Sequence, residues 1–155
     1  MRFLCISILS LVLFAPYALR AEPAVVNIHP EAITSKQGLK QFVGVSRKNS
    51  GATGISMNKV VIPPGGAAKP HSHSNFESTI YVMKGRVRTY YGKDLKDSIV
   101  SEAGDFIYIP PNTPHYPVNL SKTEEAIGIV ARTDPEEQEH VMMYEGELPK
   151  HDHEE

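Results

Sequence analysis

Short runs rich in Val, Ile, Tyr and Phe recur between Ile55 and Arg132, and Pro, Gly or Asn residues bound each of them. β-Branched and aromatic residues favour strands, whereas Pro and Gly end them. Helical periodicity, with apolar residues about every 3.6 positions, does not occur in this stretch. The sequence therefore predicts an all-β sandwich or barrel, and its 155 residues fit a single domain. The runs are ISMNKVVI, ESTIYVM, RVRTYY, DSIVS, DFIYI and AIGIVAR.

The first 21 residues have the layout of a secretory signal peptide. Arg2 precedes an apolar run from Phe3 to Phe14, which is too short to cross ~30 Å of hydrocarbon as a helix. A retained membrane anchor is the less favoured alternative, so no stable anchor is expected. Because Cys5 is the only cysteine and would leave with this segment, we expect a disulfide-free periplasmic or secreted protein.

Composition divides the rest of the chain into three parts. Residues 22–54 are expected to form an N-terminal arm with one edge strand at Gln41 to Arg47. Residues 55–132 are expected to form the barrel core. Residues 133–155 are interpreted as a C-terminal segment, with a short helix capped by Asp134 and a polar tail.

Several classes of function are disfavoured by charge and by missing motifs. Without Arg2 and Arg20, fourteen Lys and Arg face eighteen Asp and Glu, so the mature chain would be mildly acidic. Nucleic-acid binding calls for a basic face and is not predicted. The sequence also contains no Gly-rich phosphate loop and no Gly-x-Ser-x-Gly nucleophile turn.

Two histidines two residues apart, His71 and His73, are the strongest chemical signal. On a strand they point to one face, about 6.7 Å apart along the chain. Glu77 follows after a turn, and His115 follows the rigid Pro-Pro-Asn-Thr-Pro segment. Imidazole nitrogens and a carboxylate oxygen suit a borderline divalent metal and leave coordination positions open. These residues are therefore candidates for a metal site, with His115 available as a third histidine.

These residues sit in two segments that resemble the two motifs of the cupin superfamily. Eighteen residues separate the segments, as in small microbial cupins. The resemblance covers roughly Ile55 to Arg132 and implies a single-domain cupin jelly-roll barrel of the small exported bacterial type. It also implies one divalent ion, Fe, Mn, Zn or Ni, held in the barrel interior by the metal ligands His71, His73, Glu77 and His115. The first segment has Gly65, His71-x-His73, Glu77 and Gly85, and the second has Gly104, Pro110, Asn112, His115 and Asn119.

Two positions depart from the cupin pattern. Asn112 stands where glycine is usual, and Asn tolerates the left-handed conformation of a tight turn. Glu77 is one residue further from Gly85 than in the commonest spacing. Because a one-residue slip reverses the face of a strand, a bulge between Ser78 and Met83 is needed to keep Glu77 inward. Without that bulge, Ser78 takes the inward place and the site loses its carboxylate.

The resemblance implies a metal-dependent, oxygenase-like enzyme acting on a small molecule. Two alternatives stay open: a non-catalytic metal, sugar or small-molecule binder, and a sugar-isomerase-like enzyme. Tyr108 and Tyr116 flank the second motif and are candidates for the mouth of a pocket. The resemblance also implies a homodimer, formed through strands near Phe42 and the open edge of the larger sheet.

Overall fold

The computed structural model describes residues 25–136 and 138–150, so the proposed signal peptide and the last five residues lie outside it. No helix within the described ranges has the length and apolar character to cross a membrane. These ranges contain strands and one four-residue helix, which confirms the all-β prediction. The elements are β1 Ala32–Thr34, β2 Lys40–Val45, α1 Arg47–Ser50, β3 Ser56–Ile62, β4 His71–His73, β5 Ser78–Lys84, β6 Arg86–Tyr91, β7 Asp97–Glu102, β8 Phe106–Ile109, β9 His115–Asn119, β10 Ala126–Arg132 and β11 Val141–Met143.

The strands form two antiparallel sheets, which enclose the interior of a jelly-roll barrel. The larger sheet has the order β1-β2-β3-β10-β5-β8, and the smaller has the order β11-β4-β9-β6-β7. Successive strands from β3 onward often change sheet, so the chain wraps around the barrel. β4 and β9 are neighbours in the smaller sheet, where His71 pairs with His115.

Period-two alternation decides which side chains face the interior. On β5, Ser78 and Val82 are buried while Tyr81 and Met83 are exposed. On β8, Ile107 and Ile109 are buried, whereas Phe106 and Tyr108 face solvent. Apolar side chains from both sheets therefore line the interior together with buried polar side chains such as His71, Thr89 and Arg132.

The N-terminal strand falls where the sequence predicts it, but not at the sheet edge. The predicted strand from Gln41 to Arg47 corresponds to β2, Lys40–Val45. β2 pairs with β3 on one side and with β1 on the other, so the edge of this sheet nearest to it is β1, and β8 forms the opposite edge. The short strand β1 was missed because its three residues carry little local signal.

The helix predicted after Asp134 is wrong. The residues that follow it form turns, as far as the structure describes them. Asp134 is fully buried, and its Oδ1 accepts a hydrogen bond from the Glu136 N–H at 2.9 Å. Its Oδ2 lies 2.9 Å from His140 Nδ1. An Asp side chain that bonds the backbone two residues ahead favours a turn as readily as a helix cap, and here the tertiary contact with His140 selects the turn.

Candidate metal centre

Three histidines converge inside the barrel. His71 and His73 lie on β4, and His115 begins β9. One nitrogen from each ring lies within 4.8 Å of the others. All three side chains are buried, with exposed fractions of 5%, 2% and 5% respectively. The structure thus brings together three of the four residues for which the sequence predicted a metal site.

Two asparagine turns fix the relative position of these histidines. Asn75 and Asn112 both have left-handed backbones, with φ of 64° and 60°, as expected for Asn112. The Asn75 N–H donates to Asn112 Oδ1 at 3.0 Å, and Asn112 Nδ2 donates to Asn75 Oδ1 at 3.2 Å. The Asn112 N–H also donates to the carbonyl of His73 at 2.9 Å. The turn before His115 is therefore tied directly to the end of the His71–His73 strand.

Backbone carbonyls set the tautomers of two of the rings. His71 Nδ1 lies 2.7 Å from the Lys69 carbonyl, and His115 Nδ1 lies 2.9 Å from the Thr113 carbonyl. Because a carbonyl oxygen only accepts, both Nδ1 atoms carry the proton and each Nε2 keeps a free lone pair. In metal sites, a hydrogen bond from the ring nitrogen that does not bind the metal orients the histidine in the same way.

His73 provides a test of whether the centre fits a metal. Both of its ring nitrogens are buried and have no hydrogen-bond partner. Leaving a buried polar group unsatisfied costs about 1–3 kcal/mol. A divalent ion bound to one nitrogen of His73 would remove part of that cost, so the donor set fits a metal held by three imidazoles.

The three rings are neutral at pH 7. Burial holds the pKa of His71 well below its ordinary 6.5, and the neighbouring His115 adds to the effect. Burial also strongly lowers the pKa of His73, followed by the charge of Arg132. For His115, burial outweighs the bond to the Thr113 carbonyl and brings the pKa to about 4. Neutral rings can bind a metal without first losing a proton.

Glu77, the fourth predicted ligand, lies outside this centre. Its side chain is exposed, and the Tyr108 hydroxyl donates to Glu77 Oε1 at 2.7 Å. Ser78 takes the inward position, where it is 3% exposed and accepts a hydrogen bond from Arg132 Nε at 3.0 Å. β5 does contain a bulge, but it falls at Met83, so the alternation that begins at Ser78 is unaffected. The structure thus corrects the four-ligand prediction and matches its stated alternative.

Neither tyrosine proposed for the pocket mouth reaches the cavity. Tyr108 lies between two inward isoleucines of β8, so it points to the outer face, where it is 59% exposed. Tyr116 follows the inward His115 and packs on the opposite side of its sheet, against Tyr90 and Leu95. Strand alternation excludes both positions from the interior.

Arg132 is the residue that sequence reasoning missed. It ends β10, is 7% exposed and lines the same cavity as His71 and His115. The signal was available in the run AIGIVAR, because alternation places Arg132 on the same face as Ala126 and Val130. Arginine is almost never fully buried unless it is paired, and Arg132 Nε donates to Ser78 Oγ at 3.0 Å.

A cavity of about 120 Å³ opens beside the histidines. Val, Ile, Leu, Ala and Pro side chains from both sheets make up most of its wall. Among the described residues that line it, Arg132 carries the only fixed charge, and none is Asp or Glu. The cavity wall is therefore mainly apolar, with one positive charge and with the polar side chains of Ser35, Gln37, Gln41, Ser78 and Thr89.

We expect Glu77→Gln to leave metal affinity unchanged within about twofold, because the carboxylate faces solvent and bonds Tyr108. Isothermal titration with Mn(II) and Zn(II) on purified protein measures the affinity. Tyr108→Phe is the matched control, since it removes the same surface hydrogen bond from the other side. A drop of more than about tenfold for Glu77→Gln alone would restore this carboxylate as a ligand.

Comparison with known proteins shows which protein family this barrel resembles. The family model described as "Cupin domain" matches residues 58–131. A germin-like protein, subfamily T member 3, from Arabidopsis thaliana is 37% identical over 88 residues, which cover 54% of this chain and 38% of that protein. Oxalate oxidase GF-2.8 from Triticum aestivum is 34% identical over 80 residues, covering 48% and 35%. The chain thus spans little more than a third of the length of these curated relatives.

Solved structures show the same fold. Oxalate decarboxylase from Bacillus subtilis superposes with a TM-score of 0.59 at 24% identity, over 68% of this chain and 28% of that one; that enzyme contains Mn(II) centres. The polyketide cyclase RemF from Streptomyces resistomycificus superposes with a TM-score of 0.62 at 21% identity, over 77% of this chain and 85% of that one. The matching family model, the jelly-roll topology and the two motif segments together identify residues 58–131 as a cupin domain.

Proposed function

We propose that this protein is a metal-dependent enzyme that acts on a small molecule, with His71, His73 and His115 holding one divalent ion. The observation that carries the proposal is the surroundings of the fully buried His73. Neither of its ring nitrogens has a hydrogen-bond partner, and two other neutral imidazoles lie next to it. The similarity to oxalate-processing enzymes supports small-molecule chemistry. The Mn(II) centres of one structural neighbour favour manganese among the candidate ions.

An ion held by three imidazoles supplies a Lewis-acid or redox centre with open positions for substrate. The chain's own contribution is positional. Carbonyls of Lys69 and Thr113 orient two of the rings, and the wall of the cavity beside them is mainly aliphatic. Arg132 contributes a fixed positive charge that favours a negatively charged substrate.

The cavity wall favours one of the three functions that the sequence left open. A sugar isomerase needs polar groups along the sugar and acid–base side chains, whereas this wall is mainly aliphatic and none of its described residues is Asp or Glu. Oxygen chemistry at a redox metal depends less on a protein base. A non-catalytic binder is the second candidate, because the same lack of an acid–base side chain suits binding without turnover.

Metal content and dioxygen uptake test the proposal together. Full-length protein is purified without chelators, its metals are measured, and metal-free protein is reloaded with Mn(II), Fe(II) or Zn(II). We expect dioxygen uptake with small carboxylates, oxalate included, for the Mn(II) or Fe(II) form only. Binding without turnover in every metal form would identify a binder, and failure to bind any of the three ions would reject the metal centre.

Export is a further proposal, and it rests on the first 21 residues. Expression of the full chain in a bacterial host, followed by cell fractionation and mass measurement, tests it. We expect a processed form outside the cytoplasm. An unprocessed cytoplasmic product would contradict the proposal.

We also propose that the protein forms a homodimer through the edge of its larger sheet. All three residues of the edge strand β1 are exposed, and unpaired strand edges invite pairing. Next to this edge the Phe42 ring lies under the ammonium groups of Lys40 and Lys59, at 5.2 and 4.1 Å from the ring centroid. Light scattering is expected to give twice the mass of one chain, and Ile33→Pro to shift it toward monomer. A monomer at all concentrations would contradict this.

A further inference from the structure

Two of the three histidines lie on a strand that has little support of its own. β4 contains only the three residues His71–His73. It shares one register pair with β9, His71 with His115, but three register pairs with β11, including His73 with Val141. Apart from the Asn112 N–H, which donates to its carbonyl, the described strand contacts of His73 are therefore with β11.

His73 depends on its backbone more than the other two histidines do. Carbonyls of Lys69 and Thr113 orient the rings of His71 and His115. Neither nitrogen of the His73 ring has a hydrogen-bond partner among the described residues. A ring without such a bond takes its place only from packing and from the position of its Cα atom, so a shift of β4 is transmitted directly to the His73 imidazole.

Two residues outside the cavity attach the start of β11 to the end of β4. Asp134 is fully buried, and its Oδ2 lies 2.9 Å from Nδ1 of His140. The carbonyl of His140 accepts a hydrogen bond at 3.0 Å from the N–H of Ser74, which directly follows β4. The His140 ring also packs on the Phe76 ring, with 4.9 Å between the centroids. Asp134 and His140 together are called the clamp.

Burial makes the carboxylate of Asp134 sensitive to the loss of a donor. It accepts hydrogen bonds from the Glu136 N–H, at 2.9 Å, and from His140. A buried carboxylate that loses one of its donors is costly unless water reaches it. Without the imidazole of His140, we therefore expect the chain before β11 to move until Asp134 is hydrated. Such a movement breaks the bond between the His140 carbonyl and Ser74 and loosens β11 at the end that pairs with His73.

We propose that Asp134 and His140 are positioning residues for the metal centre, which hold β11 against β4 and thereby fix the position of His73. Neither residue is among those that line the cavity, and both lie beyond residues 58–131, the range that matches the cupin domain. For its effect on metal affinity the inference rests on the proposed function. The effect of the clamp on the position of His73 requires no metal.

Substitution of His140 by alanine, glutamine and asparagine tests the clamp. The amide nitrogen of asparagine takes nearly the place of the imidazole Nδ1 and can donate to Asp134, whereas that of glutamine lies one bond further out. Isothermal titration with Zn(II) is expected to show binding about ten- to a hundredfold weaker for His140→Ala and for His140→Gln, with most of this loss recovered in His140→Asn. Glu139→Ala, at the exposed neighbouring residue, is the matched control and should bind like the wild type. Equal affinity of His140→Ala and the wild type, or of His140→Asn and His140→Ala, would overturn the proposal.

Amide hydrogen exchange of the metal-free protein separates a local effect of the clamp from a general loss of stability. The Ser74 N–H reports on the clamp, and the Asn119 N–H, which donates to the Gly66 carbonyl at 2.9 Å, reports on the opposite end of β9 from His115. In His140→Ala we expect exchange at least about tenfold faster at Ser74 and unchanged at Asn119. The NMR signals of the His73 ring should shift in the same variant. Equal acceleration at both amides would indicate general destabilisation and overturn the proposal. If His140→Ala does not fold, His140→Gln replaces it.

The two measurements distinguish failure of this inference from failure of the proposed function. If the wild-type protein binds no metal, but exchange at Ser74 and the signals of the His73 ring change only locally in His140→Ala, the metal-dependent enzyme is rejected and the clamp is retained. If metal binding and dioxygen uptake are the same in the wild type and in His140→Ala, the enzyme is retained and the positioning role is rejected.

Discussion

His73→Ala is expected to abolish stoichiometric metal binding and to leave a folded β-protein. His73 is 2% exposed and contributes two nitrogens that nothing else satisfies. Loss of a residue that merely orients a metal ligand costs about 10- to 100-fold in affinity, so loss of a ligand itself should cost more than about 100-fold. Isothermal titration with Mn(II) and Zn(II), beside elemental analysis, measures the effect.

The fold should survive because the histidines contribute little to the apolar core. The apolar cluster that contains Leu39, Ile62 and Val87 packs together without any of the three histidines. Circular dichroism of His71→Ala, His73→Ala and His115→Ala is therefore expected to match the wild type. The matched control is His29→Ala, which removes an exposed histidine in the N-terminal arm. Full metal occupancy in the His71→Ala/His115→Ala double variant would defeat the assignment of the site.

The histidine centre could be predicted because its geometry is mostly local. His71 and His73 share a face through strand alternation alone, and the Asn112 turn needs only a residue that tolerates positive φ. The strands themselves follow from β-branched runs between Gly and Pro residues. Pairing of β4 with β9 then brings His115 next to His71, and the spacing of the two cupin-like motifs predicted this long-range contact.

The remaining features depend on contacts between distant parts of the chain. Whether Glu77 or Ser78 faces inward is decided by the pairing of β5 with β10, and the deciding contact joins Ser78 to Arg132, 54 residues away. Tyr116 is adjacent to His115 on β9. Once His115 is known to face the cavity, Tyr116 must face the other side of the sheet. The turn at Asp134 depends on His140, which the helix-cap pattern does not include. Local pattern thus predicts the elements, while tertiary pairing selects their register.

The metal-free protein is expected to lose stability as the pH falls from about 6.5 toward 4. In the unfolded chain His115 has its ordinary pKa of 6.5, whereas burial lowers its pKa in the folded protein to about 4. Between these values the unfolded state binds more protons than the folded state, so acid favours unfolding. The stabilisation is complete above pH 6.5 and is lost as the pH drops to the folded pKa. For His115 alone the loss amounts to roughly 3 kcal/mol.

Urea unfolding of metal-free protein between pH 7 and pH 4.5 measures this loss, and His115→Asn separates it from the titration of carboxylates. Asparagine does not titrate here, so the variant should become more acid-resistant relative to the wild type by up to ~1.4 kcal/mol per pH unit within the window. His29→Ala, a substitution at an exposed residue of the N-terminal arm, is the control variant. His71 and His73 should steepen the same slope, since burial lowers both of their pKa values. If the free energy of unfolding of the wild type stays constant from pH 6.5 to 5, the histidines are not desolvated in the metal-free barrel. That result would contradict a metal centre built from three neutral imidazoles.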